Sequence, residues 1–112
     1  MAVIVKPLVP AKTVEAAQTT QYTATNLYAI IDKFTATNYS ATAATISVNL
    51  VTAAESAGNA NLITKTKTLQ ANEVYTFPEL VGHILGPGDF ISTIAGTASA
   101  INMRVSGREV TQ

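Results

Sequence analysis

The sequence predicts an all-β domain, a β-sandwich or jelly roll of roughly seven to eight short antiparallel strands with an extended N-terminal arm. Threonine is abundant, and its β-branched side chain favours pleated sheet. Apolar and polar residues alternate in short runs at spacings of about ten residues, with turn-forming residues between them. Alanine is scattered and forms no helical stripe, so we interpret it as small filler between sheets.

The first 20 residues are predicted to form the arm, and residues 21–112 the sandwich. Pro7 and Pro10 lack a backbone donor, which confines this segment to a sheet edge or to extended structure. Two interpretations stay open: a loosely held N-terminus, or an arm that adds as a strand to a neighbouring subunit. In the second, the partner-binding residues are Val3, Ile4, Val5, Pro7, Leu8 and Val9.

Alternation predicts the next strands in order. In the run over residues 27–38, Ile30 and Phe34 share one parity, and Ile31 shares the other with Lys33 and Thr35. A half-buried strand is predicted over residues 41–53, and an edge strand over residues 62–69, where two lysines on one face oppose unwanted pairing. A further strand over residues 74–77 ends at a proline.

The run from Gly86 to Asp89 predicts a tight turn. Pro87 presets φ at the second turn position, Gly88 can adopt positive φ at the third, and Asp89 can accept hydrogen bonds from turn amides. One strand leaves this turn, and another runs over residues 100–105. Gly107 after it predicts a structural turn, as a bulge or bend.

Composition excludes several classes of protein. Charged residues make up 12 % of the chain and the formal net charge is +0, which argues against nucleic-acid binding and gives no electrostatic attraction to a membrane. There is no cysteine, and no apolar run approaches the roughly 20 residues of a membrane span. The start of the chain does not resemble a secretory signal, so we expect a protein made and used without export by that route.

The residues predict no catalytic, cofactor or metal site. His83 is the sole histidine and cannot be paired with a serine or an acid from sequence order. The carboxylates are dispersed, and Arg104 and Arg108 fit a surface or interface better than an anion clamp. An enzyme is therefore the weakest class, behind a structural subunit of an assembly and a small binding module.

Four stretches, taken in order, resemble a family of small bacteriophage virion proteins. They are a strand ending in asparagine before a Ser/Ala/Thr turn and an alternating strand (34–48), a polar turn before a strand (69–75), a Leu-x-Pro-Gly-Asp-x-Ile stretch (85–91) and a Val-x-Gly-x-Glu-Val ending (105–110). The resemblance covers about residues 22–110.

This resemblance implies a virion component with no enzymatic activity. The compact chain without repeats favours a capsid decoration (cement) protein that binds the major capsid protein lattice at the capsid surface, after synthesis in the host cytoplasm. Local threefold symmetry of capsid sites implies a homotrimer, with no nucleic-acid or membrane partner. The alternative is a tail or head–neck (collar) accessory protein, and the remote alternative a small carbohydrate-binding module.

Overall fold

A computed structural model describes residues 2–111, and the all-β prediction is confirmed. Within these residues the chain forms nine strands, against the predicted seven to eight, and one short 3-10 helix at Asn59–Asn61. The strands are β1 (Val3–Thr13), β2 (Thr19–Thr23), β3 (Leu27–Asn38), β4 (Ala44–Val51), β5 (Leu62–Leu69), β6 (Val74–Thr76), β7 (Ile84–Leu85), β8 (Phe90–Ala95) and β9 (Ile101–Thr111).

The described strands make two antiparallel sheets that pack face to face as a β-sandwich. Sheet A has the order β1-β9-β3-β6, and the short strand β7 also pairs with β3. Sheet B has the order β2-β8-β4-β5. The long β3–β9 ladder, from Leu27 opposite Thr111 to Asn38 opposite Ile101, forms the middle of sheet A. Because this ladder joins residues 27–38 to residues 101–111, the fold depends on pairing between segments far apart in the sequence.

Inward-facing side chains of the two sheets form the hydrophobic core. Phe34 of β3 meets Phe77 edge-on, with the ring centroids 4.8 Å apart, and both rings are fully buried. The edge-on geometry places a positive ring edge against a negative ring face, which adds to the gain from burial. From sheet B, Ile46, Val48 and Ile91 close the core.

A bulge in β3 changes which residues face the core. The ladder with β9 shifts register between Ile31 and Lys33. As a result Ile31 and Phe34 are both buried, and Ile30 is turned to the outer face of sheet A. Ile30 and Phe34 therefore do not share a face, contrary to what their parity had predicted, because an extra residue at a bulge reverses the alternation beyond it.

Gly107 lies inside β9, and the chain does not turn there as the sequence predicted. It sits opposite Ile31, next to the bulge of β3. A Cβ at this position would collide with the backbone carbonyl oxygen of Ile30 and would lie 2.9 Å from the Leu8 Cδ1 atom. The glycine is needed for close approach of two backbones in the middle of a sheet.

The predicted N-terminal arm is an edge strand of the domain itself. β1 pairs with β9 from Val3 opposite Val110 to Thr13 opposite Asn102. The ladder shifts register around Pro7 and Val9, as expected where proline interrupts pairing. Since Leu8 and Val9 are buried in the core, residue 20 does not separate an arm from a sandwich in this structure.

Gly107→Ala is expected to lower the free energy of unfolding by roughly 1–3 kcal/mol, because the added methyl overpacks a backbone contact. Urea denaturation monitored by circular dichroism measures the change. Gly58→Ala is the matched control, since a Cβ there would have no heavy atom within 4 Å. Equal midpoints for the two variants would contradict the proposed close approach.

Candidate interaction surface

The outer face of sheet A carries an exposed apolar patch at one end. Cross-strand neighbours form two rows, one joining Val3, Val110 and Tyr28, the other joining Val5 to Ile30 and Ile84 through Arg108. We name the six apolar residues of these rows, Val3, Val5, Tyr28, Ile30, Ile84 and Val110, the apolar patch. Val5 is 79 % exposed, Ile84 64 %, Val3 58 % and Tyr28 44 %. Such contiguous apolar exposure is typical of an interaction surface.

Local structure explains why these side chains face outward. Ala29 is fully buried between Tyr28 and Ile30, so alternation directs its two neighbours away from the core. Strand β7 then places Ile84 directly opposite Ile30. No segment of residues 2–111 covers this face, and the apolar side chains stay in contact with solvent.

An ion pair lies within the apolar patch. Arg108 donates from its Nη2 to Asp32 Oδ1 at 2.9 Å and from its Nε to Asp32 Oδ2 at 3.0 Å. Two parallel hydrogen bonds between planar groups fix both side chains and neutralise both charges. Arg108 lies at the surface, as the sequence predicted, with Asp32 as its partner. The patch therefore presents apolar area with no net charge.

The opposite end of the same face is polar and concave. A concavity of about 470 Å³ is lined there by six polar residues and two apolar ones: Thr13, Thr35, Thr37, Tyr39, Asn102, Arg104, Ala11 and Met103. A second concavity of about 300 Å³ shares Thr35 and Arg104 and adds Lys33 and Ser106. Thr13 Oγ1 donates to Asn102 Oδ1 at 3.2 Å, so part of the lining is ordered by its own hydrogen bonds.

The turn over residues 86–89 is a structural corner. Asp89 N donates to Gly86 O at 3.0 Å and Gly88 has φ of 88°, as a type II turn with Pro87 at its second position requires. The Asp89 carboxylate accepts from the amides of Gly86 at 2.8 Å and Ala53 at 2.9 Å. Asp89 thereby joins this turn to the loop that follows β4.

Two further carboxylates link the sheets at opposite edges. Glu79 accepts from Thr64 Oγ1 at 2.5 Å and from Tyr75 OH at 3.0 Å, which joins β5 of sheet B to β6 of sheet A. Glu109 accepts from Tyr22 OH at 2.5 Å, which joins β9 to β2. Burial, with help from the Glu109 carboxylate, raises the pKa of the Tyr22 hydroxyl. The sequence could not predict the partners of these acids, because the partners lie in strands that are distant along the chain.

The residues that could serve catalysis or metal binding do not form a cluster among residues 2–111. His83 is exposed in the turn before β7, and its backbone carbonyl accepts from Ile31 N at 3.0 Å. No group of three or more metal-ligating side chains forms among residues 2–111. Over the same residues, no helix is both long and apolar enough to cross a membrane.

The structure divides the residues predicted to bind a partner. Val3 and Val5 belong to the apolar patch, while Ile4 and Pro7 are exposed along the edge of β1. Leu8 and Val9 are buried and cannot contact a partner without unfolding β1. Sequence reasoning missed Tyr28, Ile30, Ile84 and Val110. The alternation of Tyr28 and Ile30 around Ala29 was a signal for the outward face, but it could not show which face the core covers.

Comparison with protein-family models, with curated proteins and with solved structures found no match to this chain.

The contribution of Glu79 to the stability of the fold is expected to be lost in acid. Burial raises the pKa of its carboxyl, but hydrogen bonds from Thr64, the backbone and Tyr75 outweigh burial and lower the pKa overall. A lowered folded pKa stabilises the fold above the ordinary value of the carboxyl, and this gain is lost as pH falls through the lowered value. Glu79→Gln should therefore lose less stability than the wild type between neutral pH and about pH 3.

Urea midpoints at the two pH values measure this difference. Glu55→Gln, in the exposed loop after β4, is the matched control and should behave as the wild type does. An equal loss of stability in Glu79→Gln and the wild type would contradict the linking role of this carboxylate.

Proposed function

We propose that this chain is a non-enzymatic structural protein of a tailed-phage virion, a capsid decoration protein that binds the major capsid protein lattice. The observation that carries binding is the exposed apolar patch on sheet A, and the observation that suggests a virion is the resemblance over residues 22–110. The patch rests on the exposure of side chains in the folded domain, and the resemblance rests on the order of sequence motifs.

Burial of apolar area supplies the binding energy in this proposal. Each Å² of apolar surface removed from water contributes roughly 25 cal/mol, and standard interfaces bury roughly 1,200–2,000 Å² in total. The ion pair of Arg108 and Asp32 leaves the patch without net charge, so binding should depend little on salt. A protein that binds only the expanded shell stabilises that shell by mass action.

A tail or head–neck accessory protein is the alternative within the virion. The same patch would serve either location, so geometry does not separate them. Copy number does, because a lattice repeats its binding site over the whole shell whereas a neck or tail ring is a small closed oligomer. Copies in the hundreds per virion support decoration, and about three to twelve support a neck or tail position.

A carbohydrate-binding module is the second candidate function, and the polar concavity of sheet A favours it. Tyr39 is half exposed there and can stack on a sugar ring, while Thr37, Asn102 and Arg104 offer hydrogen bonds. A glycan array tests this function, with Tyr39→Ala as the variant that should lose any binding found. A hit lost in that variant would favour a module over a shell protein.

Ile84→Lys is expected to weaken capsid binding by about tenfold or more, because a charge would be buried against the lattice. Co-sedimentation of the variant with expanded capsids that lack this protein measures occupancy. Its stability should change by less than about 0.5 kcal/mol, because Ile84 is exposed.

Val74→Lys is the matched control. This valine is 58 % exposed on β6, opposite Thr37 at the polar end of sheet A, and should bind as the wild type does. Full occupancy by Ile84→Lys would overturn the role of the apolar patch.

A further inference from the structure

The first residues of β1 form an unprotected sheet edge. β1 ends the order of sheet A, and no strand among residues 2–111 lies on its other side. Natural edges are usually protected by charge, by proline or by short length. The edge strand β5 carries Lys65 and Lys67, and β6 has only three residues. In β1, by contrast, the outermost residues are Val3, Ile4 and Val5, all exposed.

The direction of the backbone groups shows where this edge can pair. Ala2 O accepts from Thr111 N at 2.9 Å, so the polar backbone groups of Ala2 face β9. Backbone groups of successive strand residues point to opposite edges. In the unbroken register that follows, Ile4 and Lys6 also face β9, whereas Val3, Val5 and Pro7 face outward. Pro7 has no N–H to offer there, so outward donors end at Val5.

We propose that β1 pairs antiparallel with β1 of a second copy, about a two-fold axis that passes between the two Ile4 residues. In this register Val3 lies opposite Val5 of the second copy, and each such pair exchanges both N–H···O bonds. A register centred on Val5 would place Val3 opposite Pro7 and lose a donor. Among registers that pair residues 3–7 with one another, the Ile4-centred register uses the donors of both Val3 and Val5 without meeting proline.

The surroundings of the edge fit a second copy of the same chain. Ile4 lies opposite Glu109 and faces the side of sheet B, yet it remains 47 % exposed, so sheet B leaves room for a neighbour. Lys6 Nζ lies 3.4 Å from Glu109 Oε1, so its charge is compensated within the chain. The contact then joins apolar residues to apolar residues across the axis, with no like charges opposed.

Pairing about this axis keeps both outer faces on the same side. The two apolar patches then become one surface across a continuous sheet, which would double the area offered to a lattice. The pairing itself does not depend on capsid binding. It is a two-fold contact, so we expect a dimer in solution where capsid symmetry had suggested a trimer.

Sedimentation velocity over a range of concentrations tests the association. The wild type should dimerise, and Val5→Pro should dissociate about tenfold or more readily, because it removes an outward donor from each copy. Its pairing with β9 should be unaffected, since the Val5 N–H points away from β9. Equal urea midpoints for the variant and the wild type, at a concentration low enough for both to be monomeric, check this. Val5→Lys, a second variant, should also weaken the dimer by placing a charge at the edge.

Engineered cysteines test the register, because the natural chain contains none. In the proposed dimer the Cα atoms of the two Ile4 residues lie about 4.5 Å apart, within disulfide range. Ile4→Cys should therefore form a dimer disulfide under mild oxidation. Val3→Cys is the matched control, since its two copies would lie about 8 Å apart, which is too far for a disulfide.

Each outcome decides the proposal. A disulfide in Ile4→Cys and none in Val3→Cys supports the pairing. A monomeric wild type at high concentration, a trimer, or equal crosslinking of the two variants overturns it. Failure here leaves the capsid test with Ile84→Lys untouched, because Ile84 lies three strands away from the edge, beyond β9 and β3.

Discussion

The buried amide of Asn38 holds the two sheets together at the connection between β3 of sheet A and β4 of sheet B. Its nitrogen donates to the carbonyl oxygens of Thr42 and Leu69, both at 2.9 Å, and its oxygen accepts from Ser40 N at 2.9 Å and Ser40 Oγ at 2.7 Å. A fully buried amide without these partners would cost several kcal/mol. The requirement to satisfy it fixes the end of β3 against sheet B, and so aligns the core.

From that fixed corner the long strands of sheet A run to the opposite end of the molecule. Polar side chains there form hydrogen bonds within the domain. Glu109 links the two sheets, and Asp89 joins the turn at 86–89 to the loop after β4. Apolar side chains are instead left on the surface, where Val5 and Ile84 face solvent. This distribution suits a protein that completes its core against another surface.

The two proposals use separate groups at this end. Capsid binding uses side chains on the face of the sheet, including those of Val3 and Val5, while self-association uses the outward backbone groups of the same two residues. Pairing of the backbone leaves these side chains on the outer face. Together they describe a small domain whose low charge is a disadvantage in isolation and an advantage in an assembly, where charged groups would have to be desolvated.

The fold class and the local turn chemistry follow from the sequence alone. Alternation of β-branched residues and the intrinsic backbone preferences of Pro87 and Gly88 act over a few residues, so they can be read without a structure. Only the tertiary structure decided the bulge in β3, the position of Gly107 in a ladder, the place of β1 in sheet A and the membership of the apolar patch. Each depends on pairing between residues far apart in sequence, such as Ile30 with Arg108, and a shift of one residue in that pairing exchanges core for surface.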